Sequence, residues 1–118
     1  MSDSLPFSDE KQMATFGHMI VSDSFWSQVQ PYVGPDWFRQ GEVQKCFRAL
    51  RDFRDKYRRG PSFAEFKELP ALMAEESGIR RTMAATIDMA GILTETYRLD
   101  ALSGELAIWL QHKVIRST

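Results

Sequence analysis

The chain has 118 residues, of which 43% are apolar and 12% aromatic, and its 15 basic and 16 acidic residues leave a net charge of −1. This length predicts one domain, because two folded domains need roughly 200 residues, and the apolar content excludes an intrinsically disordered chain. The charge balance excludes a uniformly basic nucleic-acid-binding protein and leaves a local basic patch open.

The single cysteine excludes an internal disulfide and a zinc site built from cysteines. No apolar run approaches the ~18 residues that a membrane span needs. Residues 1–10 are acidic and lack the basic and apolar regions of a signal peptide. We therefore expect a cytoplasmic protein.

The N-terminal third predicts two helices after a flexible leader. Residues 1–8 have no packing periodicity and form the expected leader. Asp9 and Gln12 match a capping box that would open the first helix. Apolar residues at helical spacing continue to a break near Ser22, and a short second helix ends before Pro31.

A loop separates the second helix from the third. Residues 31–41 contain two prolines and two glycines, together with the adjacent aromatic residues Trp37 and Phe38. We expect this aromatic pair to plug into the core. Beyond the third helix, Gly60 and a proline form a helix stop, and residues 62–65 (SFAE) match a capping box that opens another short helix.

The strongest helical pattern in the chain covers residues 43–57. Apolar residues recur there at alternating spacings of three and four, namely Val43, Cys46, Leu50, Phe53 and Tyr57. This stripe predicts a buried helix face with Leu50 at its centre. Arg54 lies at the edge of the apolar arc, where we expect its charge to reach water or to pair with a carboxylate of a neighbouring helix.

The remaining sequence predicts further helices and no strand. One helix is expected over about 79–90, with an interruption at Gly91, and a long last helix over about 94–116. No segment alternates with period two. The fold class is therefore predicted as all-α, a compact single-domain bundle of six or seven helices whose long C-terminal helix leads into a linker or a helical hairpin. The expected division is a leader at 1–8, a helical domain at 9–92 and the C-terminal helix at 93–118.

The last helix has two apolar faces on a helical wheel. One face supplies the domain's own core with Leu99, Leu102, Leu106, Trp109 and Leu110. The other face is nearly opposite and carries Tyr97, Ala101, Gly104, Ile108 and Ile115. The second face needs a partner, either another helix of this domain or a second copy of the chain. We expect it to join two copies, at least weakly.

The motifs of common enzymes are absent from the sequence. It contains no GxxxxGK[ST], HExxH, GxSxG or GxGxxG pattern. His18 and His112 have no second metal ligand at helical spacing, and Cys46 falls on the buried stripe. We expect no catalysis, no cofactor and no metal site in this chain.

A local basic segment is the one candidate for contact with nucleic acid. Residues 45–59 hold seven basic and two acidic residues. The candidate contacts are Lys45, Arg48, Arg51, Arg58 and Arg59. The seven basic side chains spread around the polar arc, and Phe47, Phe53 and Tyr57 are expected to point inward, where they cannot stack on bases. DNA binding is therefore expected to be weak or absent.

Residues 10–69 contain five sequence pieces in a recognisable order: EKQMATFGHMIV, SDSFWSQVQPYV, GPDWF, EVQKCFRALRDF and RRGPSFAEFKEL. In order and spacing, these pieces resemble the N-terminal domain of DnaB-type replicative DNA helicases. The chain departs from the family where Gln40 or Gly41 replaces the usual histidine, and no glycine-rich GGxxYL segment follows residue 70. The last 22 residues, YRLDALSGELAIWLQHKVIRST, look more like phage relatives.

The resemblance implies a non-catalytic collar domain. In such helicases this domain assembles through paired copies on a hexameric motor and offers a docking surface for primase or a helicase loader. A parent protein of that type would be an ATP-dependent DNA helicase encoded by a phage or plasmid. Two alternatives stay open: a small stand-alone protein that mimics this domain and binds or inhibits a helicase or primase, and an unrelated helical DNA-binding or adaptor module.

Overall fold

The computed structural model describes residues 8–34, 36, 38, 40–100, 102, 104, 106–109 and 111. Six helices span these residues in chain order: α1 (Asp9–Val21), α2 (Asp23–Val29), α3 (Gly41–Tyr57), α4 (Phe63–Lys67), α5 (Pro70–Met73) and α6 (Ser77–Thr96). Every described residue between 99 and 111 is also helical, and we call this stretch the C-terminal segment. No strand occurs in the described ranges, so the predicted all-α class is confirmed.

Side-chain caps start four of the six helices, α1, α2, α4 and α6, and one of these caps differs from expectation. Ser8 caps α1, since its side chain accepts a hydrogen bond from the backbone N–H of Lys11, so the capping box predicted at Asp9 is wrong. Asp9 instead lies in the first turn, where its charge favours the helix dipole. The box predicted at Ser62 and Glu65 is confirmed with both reciprocal hydrogen bonds.

The sixth helix is longer than predicted because Gly91 does not interrupt it. The ring of Phe63 from α4 lies against Gly91, where an added Cβ would approach the ring to 3.3 Å. The small residue therefore makes room for a neighbouring helix. The break falls instead at Tyr97 and Arg98, and helical structure resumes at Leu99 rather than at Thr94. As a result α6 runs across the boundary predicted between residues 92 and 93.

The first and sixth helices pack closely against each other. At Gly17 of α1, an added Cβ would lie 2.5 Å from both the Ala90 carbonyl oxygen and the Thr94 Cγ2 of α6. Only glycine permits this approach without displacing backbone. The contact fixes which face of α6 points inward, and it buries Ala90 in the core.

Aromatic residues from four parts of the chain form the centre of the core. Phe38, from the loop between α2 and α3, is buried and lies 6.0 Å from Phe16, 5.6 Å from Phe47 and 5.9 Å from Trp109, measured between ring centroids. The predicted plug is thus confirmed for Phe38, and Trp37 lies outside the described residues. This one side chain links α1, α3 and the C-terminal segment.

The C-terminal segment contributes to the same core. Leu102, Leu106 and Trp109 are buried, and the half-buried Leu99 packs against them, as the first face of the wheel predicted. Leu110 lies outside the described residues.

Leu50→Ala should lower the free energy of unfolding by about 2–5 kcal/mol, because Leu50 is fully buried in the middle of α3 and its removal leaves a cavity. Arg48→Ala, on the exposed side of the same helix, should change it by less than about 0.5 kcal/mol. Chemical denaturation followed by circular dichroism measures both. An equal free energy of unfolding for the two variants would contradict the placement of the core.

Candidate functional site

A buried arginine joins the first three helices. Arg54 of α3 donates from Nε and Nη2 to the Met19 carbonyl oxygen, at 3.1 and 2.9 Å, and from Nη2 to the Ile20 carbonyl oxygen at 2.9 Å. Its Nη1 donates to Asp23 of α2 at 2.7 Å. Both carbonyls belong to the last turn of α1, where helix geometry leaves them without intrahelical partners. The predicted pairing with a carboxylate of a neighbouring helix is confirmed.

The surroundings of Arg54 show that its role is structural. The guanidinium lies 5.5 Å from the Trp26 ring centroid, a cation–π contact, and Gly60 packs so closely that a Cβ there would collide with the guanidinium. The hydrogen bond and the charge of Arg54 lower the pKa of Asp23 below its usual value of 3.8. All of these interactions hold helices together, and the guanidinium is not available to a ligand.

Two of the five candidate basic residues are paired with carboxylates. Lys45 lies 3.9 Å from Glu75, and Arg59 makes two hydrogen bonds of 3.0 Å to Glu65. The hydrogen bonds from Arg59 lower the pKa of Glu65. These pairs reduce the positive charge available to a polyanion at both ends of the basic segment.

The other three candidates differ in their surroundings. The guanidinium of Arg51 lies 5.7 Å from the Phe47 ring centroid. Arg48 and Arg58 are exposed and make no ion pair with any described residue. Arg58 also caps the C-terminus of α3 in the left-handed conformation. Of the five candidates, Arg48 and Arg58 are therefore the exposed charges that no described carboxylate pairs.

Tyr57 does not point into the core as predicted. It is 51% exposed, because it is the last residue of α3 and lies one turn beyond Phe53, where the buried stripe reaches the edge of the domain. Its ring packs against Phe53 at 4.5 Å between centroids, tilted by 42°, with Lys56 Nζ 5.3 Å from the Tyr57 ring centroid. An exposed aromatic ring beside basic residues is therefore present at this end of α3.

The second face predicted for the last helix is only partly described. Gly104 and Ile108 are exposed, Ile108 to 52%, as expected of a surface that needs a partner. Tyr97 is not on this face: it caps α6, packs against the core and donates its hydroxyl to Glu10 of α1 at 2.9 Å. Ala101 and Ile115 lie outside the described residues.

Sequence reasoning missed a second exposed surface, which lies along α6. Its uncharged residues recur at alternating spacings of four and three and are all exposed; we call them the α6 outer face: Gly78, Thr82, Ala85, Met89, Ile92 and Thr96. Met89 is 45% and Ile92 60% exposed. The spacing is readable from the sequence, but the interruption predicted at Gly91 divided the pattern in two.

Cys46 and His18, the described candidates for a nucleophile and a metal ligand, both lie in contacts within the domain. Cys46 is buried, and burial raises the pKa of its thiol to about 12, so it is not a nucleophile at neutral pH. His18 Nε2 is 2.8 Å from the Tyr97 carbonyl oxygen, which ties α1 to the end of α6. In the described ranges no three His, Cys, Asp or Glu side chains group as metal ligands would, and His112 lies outside those ranges.

No family model, curated protein or solved structure matches the chain. In the part of the chain that the structure describes, no helix combines the length and the apolarity needed to cross a bilayer.

Acid should destabilise the fold partly through Asp23. Its folded-state pKa is lowered, so the ionised carboxylate stabilises the fold above about pH 4, and this contribution is lost as the pH falls through the folded-state value. Asp23→Asn should make the loss of unfolding free energy between about pH 5 and pH 2 shallower. Urea unfolding across that range measures the slope, and an unchanged slope would contradict the pairing with Arg54.

Ile108→Asp should leave the melting temperature within a few degrees, because half of this side chain already faces water. Leu106→Asp, on the buried side of the same segment, should unfold the domain, because an unpaired charge would enter the core. Thermal melting separates the two variants. If Ile108→Asp unfolds the chain, Ile108 belongs to the core.

Proposed function

We propose that this chain is the non-catalytic N-terminal domain of a DnaB-like replicative helicase, encoded by a phage or plasmid and acting in the cytoplasm of a bacterial host. It serves ring assembly through self-association and docks a primase or a helicase loader. The observation that carries the proposal is the agreement of five sequence pieces with that family in order and spacing over about 60 residues.

The helices fit those five pieces one by one, which supports the proposal. The first piece covers most of α1, and the second contains α2. The aromatic loop follows with its buried Phe38, then α3, and finally the capped α4. Each piece is thus one structural unit, and a shared order of units is what a common domain requires.

The surfaces of the domain also suit a scaffold. Three of the exposed apolar side chains, Ile108 of the C-terminal segment and Met89 and Ile92 of α6, lie on helices where a partner helix can cover them. A scaffold of this kind acts by differential binding: a partner that binds one ring geometry better than another shifts the ring toward it.

The decisive experiment measures the mass of the 118-residue chain alone and with the primase, the loader or the helicase of the same genome, by light scattering. We expect a stoichiometric complex with at least one of them, and no ATP hydrolysis by the chain itself. Absence of a complex with all three would overturn the proposal. ATP turnover that disappears when a residue of this chain is changed would overturn its non-catalytic part.

A stand-alone mimic is distinguished by two observations. Its coding sequence would stop after Thr118 rather than continue into a nucleotide-binding loop, and the purified chain would lower the activity of an intact helicase or primase. A collar domain would instead be followed by the motor.

Tyr57 favours the second candidate, a DNA-binding module, since its exposed ring beside Lys56 can stack on a base. We expect only weak single-stranded DNA binding near physiological salt, because carboxylates pair with Lys45 and Arg59. Fluorescence anisotropy against salt concentration measures it. Tight binding that Tyr57→Ala and the charge reversals Arg48→Glu and Arg51→Glu abolish would replace the helicase-domain proposal.

A further inference from the structure

The α6 outer face is an uncharged surface on the longest described helix. Its two large side chains, Met89 and Ile92, are both exposed, and smaller residues lie on both sides of them along the helix. Twenty residues of α6 extend over about 30 Å. The opposite side of the helix is held against α1 at Gly17, so this face cannot turn inward.

Charged residues line one edge of this face in a specific order. Arg81, Asp88 and Glu95 are each seven residues apart, so they share one flank of the helix with a drift of only about 20° per step. Asp88 is paired with Lys67 of α4 at 2.8 Å. Arg81 and Glu95 are exposed and make no ion pair with any other described residue.

We propose that α6 pairs with α6 of a second copy of this chain, antiparallel, about a two-fold axis near Asp88 and Met89. In an antiparallel helix pair the same flank of each helix faces its counterpart. A residue seven positions before the axis then faces one seven positions after it. Arg81 of each copy therefore meets Glu95 of the other, so the interface contains two Arg81–Glu95 ion pairs.

The centre of the pair and the alternative orientation are consistent with this choice. Two Asp88 carboxylates approach each other at the axis, but each brings Lys67 as its own counter-ion. A parallel pair would instead place the flank of Arg81 and Glu95 against the opposite flank, which holds Ile79, Thr86 and Leu93. Those side chains offer no charge to meet Arg81 or Glu95.

The interface is expected to be weak in the isolated chain. One helix pair buries less than the roughly 1,200 Å² of total surface that a stable complex needs. Copies that are tethered in a ring raise the effective concentration and strengthen the pairing. The assignment rests on the self-association included in the proposed function and moves its main surface from Ile108 to α6.

Charge exchange tests the register directly. Arg81→Glu and Glu95→Arg each create two like-charged pairs across the interface, and each should raise the dissociation constant of the dimer roughly tenfold at low salt. A mixture of the two variants restores opposite charges at both positions, as does the double variant R81E/E95R. Sedimentation equilibrium should therefore show recovery of the dimer in the mixture and in the double variant. Failure of both to recover overturns the pairing.

Cysteine cross-linking tests the axis. Met89→Cys places its thiol beside the same thiol of the second copy, within the short Cβ separation that a disulfide needs. Ile92→Cys is the matched control: it lies on the same face and Ile92 is the more exposed residue, but the two thiols would be offset by about 10 Å along the helices. Mild oxidation should cross-link only the first variant, since the native Cys46 is buried. Equal cross-linking of both overturns the proposed axis.

The remaining outcomes separate this inference from the proposed function. A dimer that Ile108→Asp abolishes and that both charge variants leave unchanged would overturn the α6 surface, while self-association itself would stand. A chain that stays monomeric at millimolar concentration would overturn the pairing and would leave primase or loader docking to the complex measurement.

Discussion

The fold depends on the hydrogen bonds that Arg54 donates where the first two helices meet. A sharp turn at Ser22 brings the carbonyl end of α1 beside Asp23, the first residue of α2, whose carboxylate is largely exposed. The Met19 and Ile20 carbonyl oxygens at that end of α1 are buried, so water cannot complete their hydrogen bonds. The planar guanidinium offers several donors in a fixed fork, so one side chain reaches Met19, Ile20 and Asp23 together. A lysine has no such fork. Loss of the guanidinium would leave buried acceptors unpaired, which costs more than the hydrogen bonds contribute when present.

That junction also determines which surfaces the molecule presents. Arg54 fixes α1 on α3, and Gly17 then holds α1 against α6 at a separation that admits no side chain. Because the inner side of α6 is packed against α1, the α6 outer face is exposed to solvent. On the other side of the core, Phe38 anchors Trp109, which directs Ile108 to the surface. The two exposed apolar surfaces therefore follow from packing within the domain and do not reflect loose folding.

The sequence predicted correctly those structural features that depend on residue spacing or on neighbouring residues. The α3 stripe, the Ser62 cap and the buried Phe38 depend on spacing or on neighbouring residues, and the structure confirms them. The errors share a different origin. Gly91 was predicted to break a helix because the ring that it accommodates, Phe63, comes from elsewhere in the chain. Tyr57 and Tyr97 were assigned by helical angle, but one lies past the edge of the core and the other follows the end of its helix. Residue spacing alone does not predict where the core ends or which helix packs against a given face.

The order of charges along α6 makes this surface selective for a partner, which its apolar side chains alone would not do. An apolar stripe binds many partners with little selectivity, whereas Arg81 and Glu95 at equal distances on either side of Asp88 fit a partner with the same order running in the opposite direction. A second copy meets that condition without any further requirement, because a two-fold axis reverses the helix and preserves the flank. A surface that is weak alone and selective for its own copy would suit the proposed ring: tethering would supply the affinity, and the charges would determine the orientation in which the copies meet.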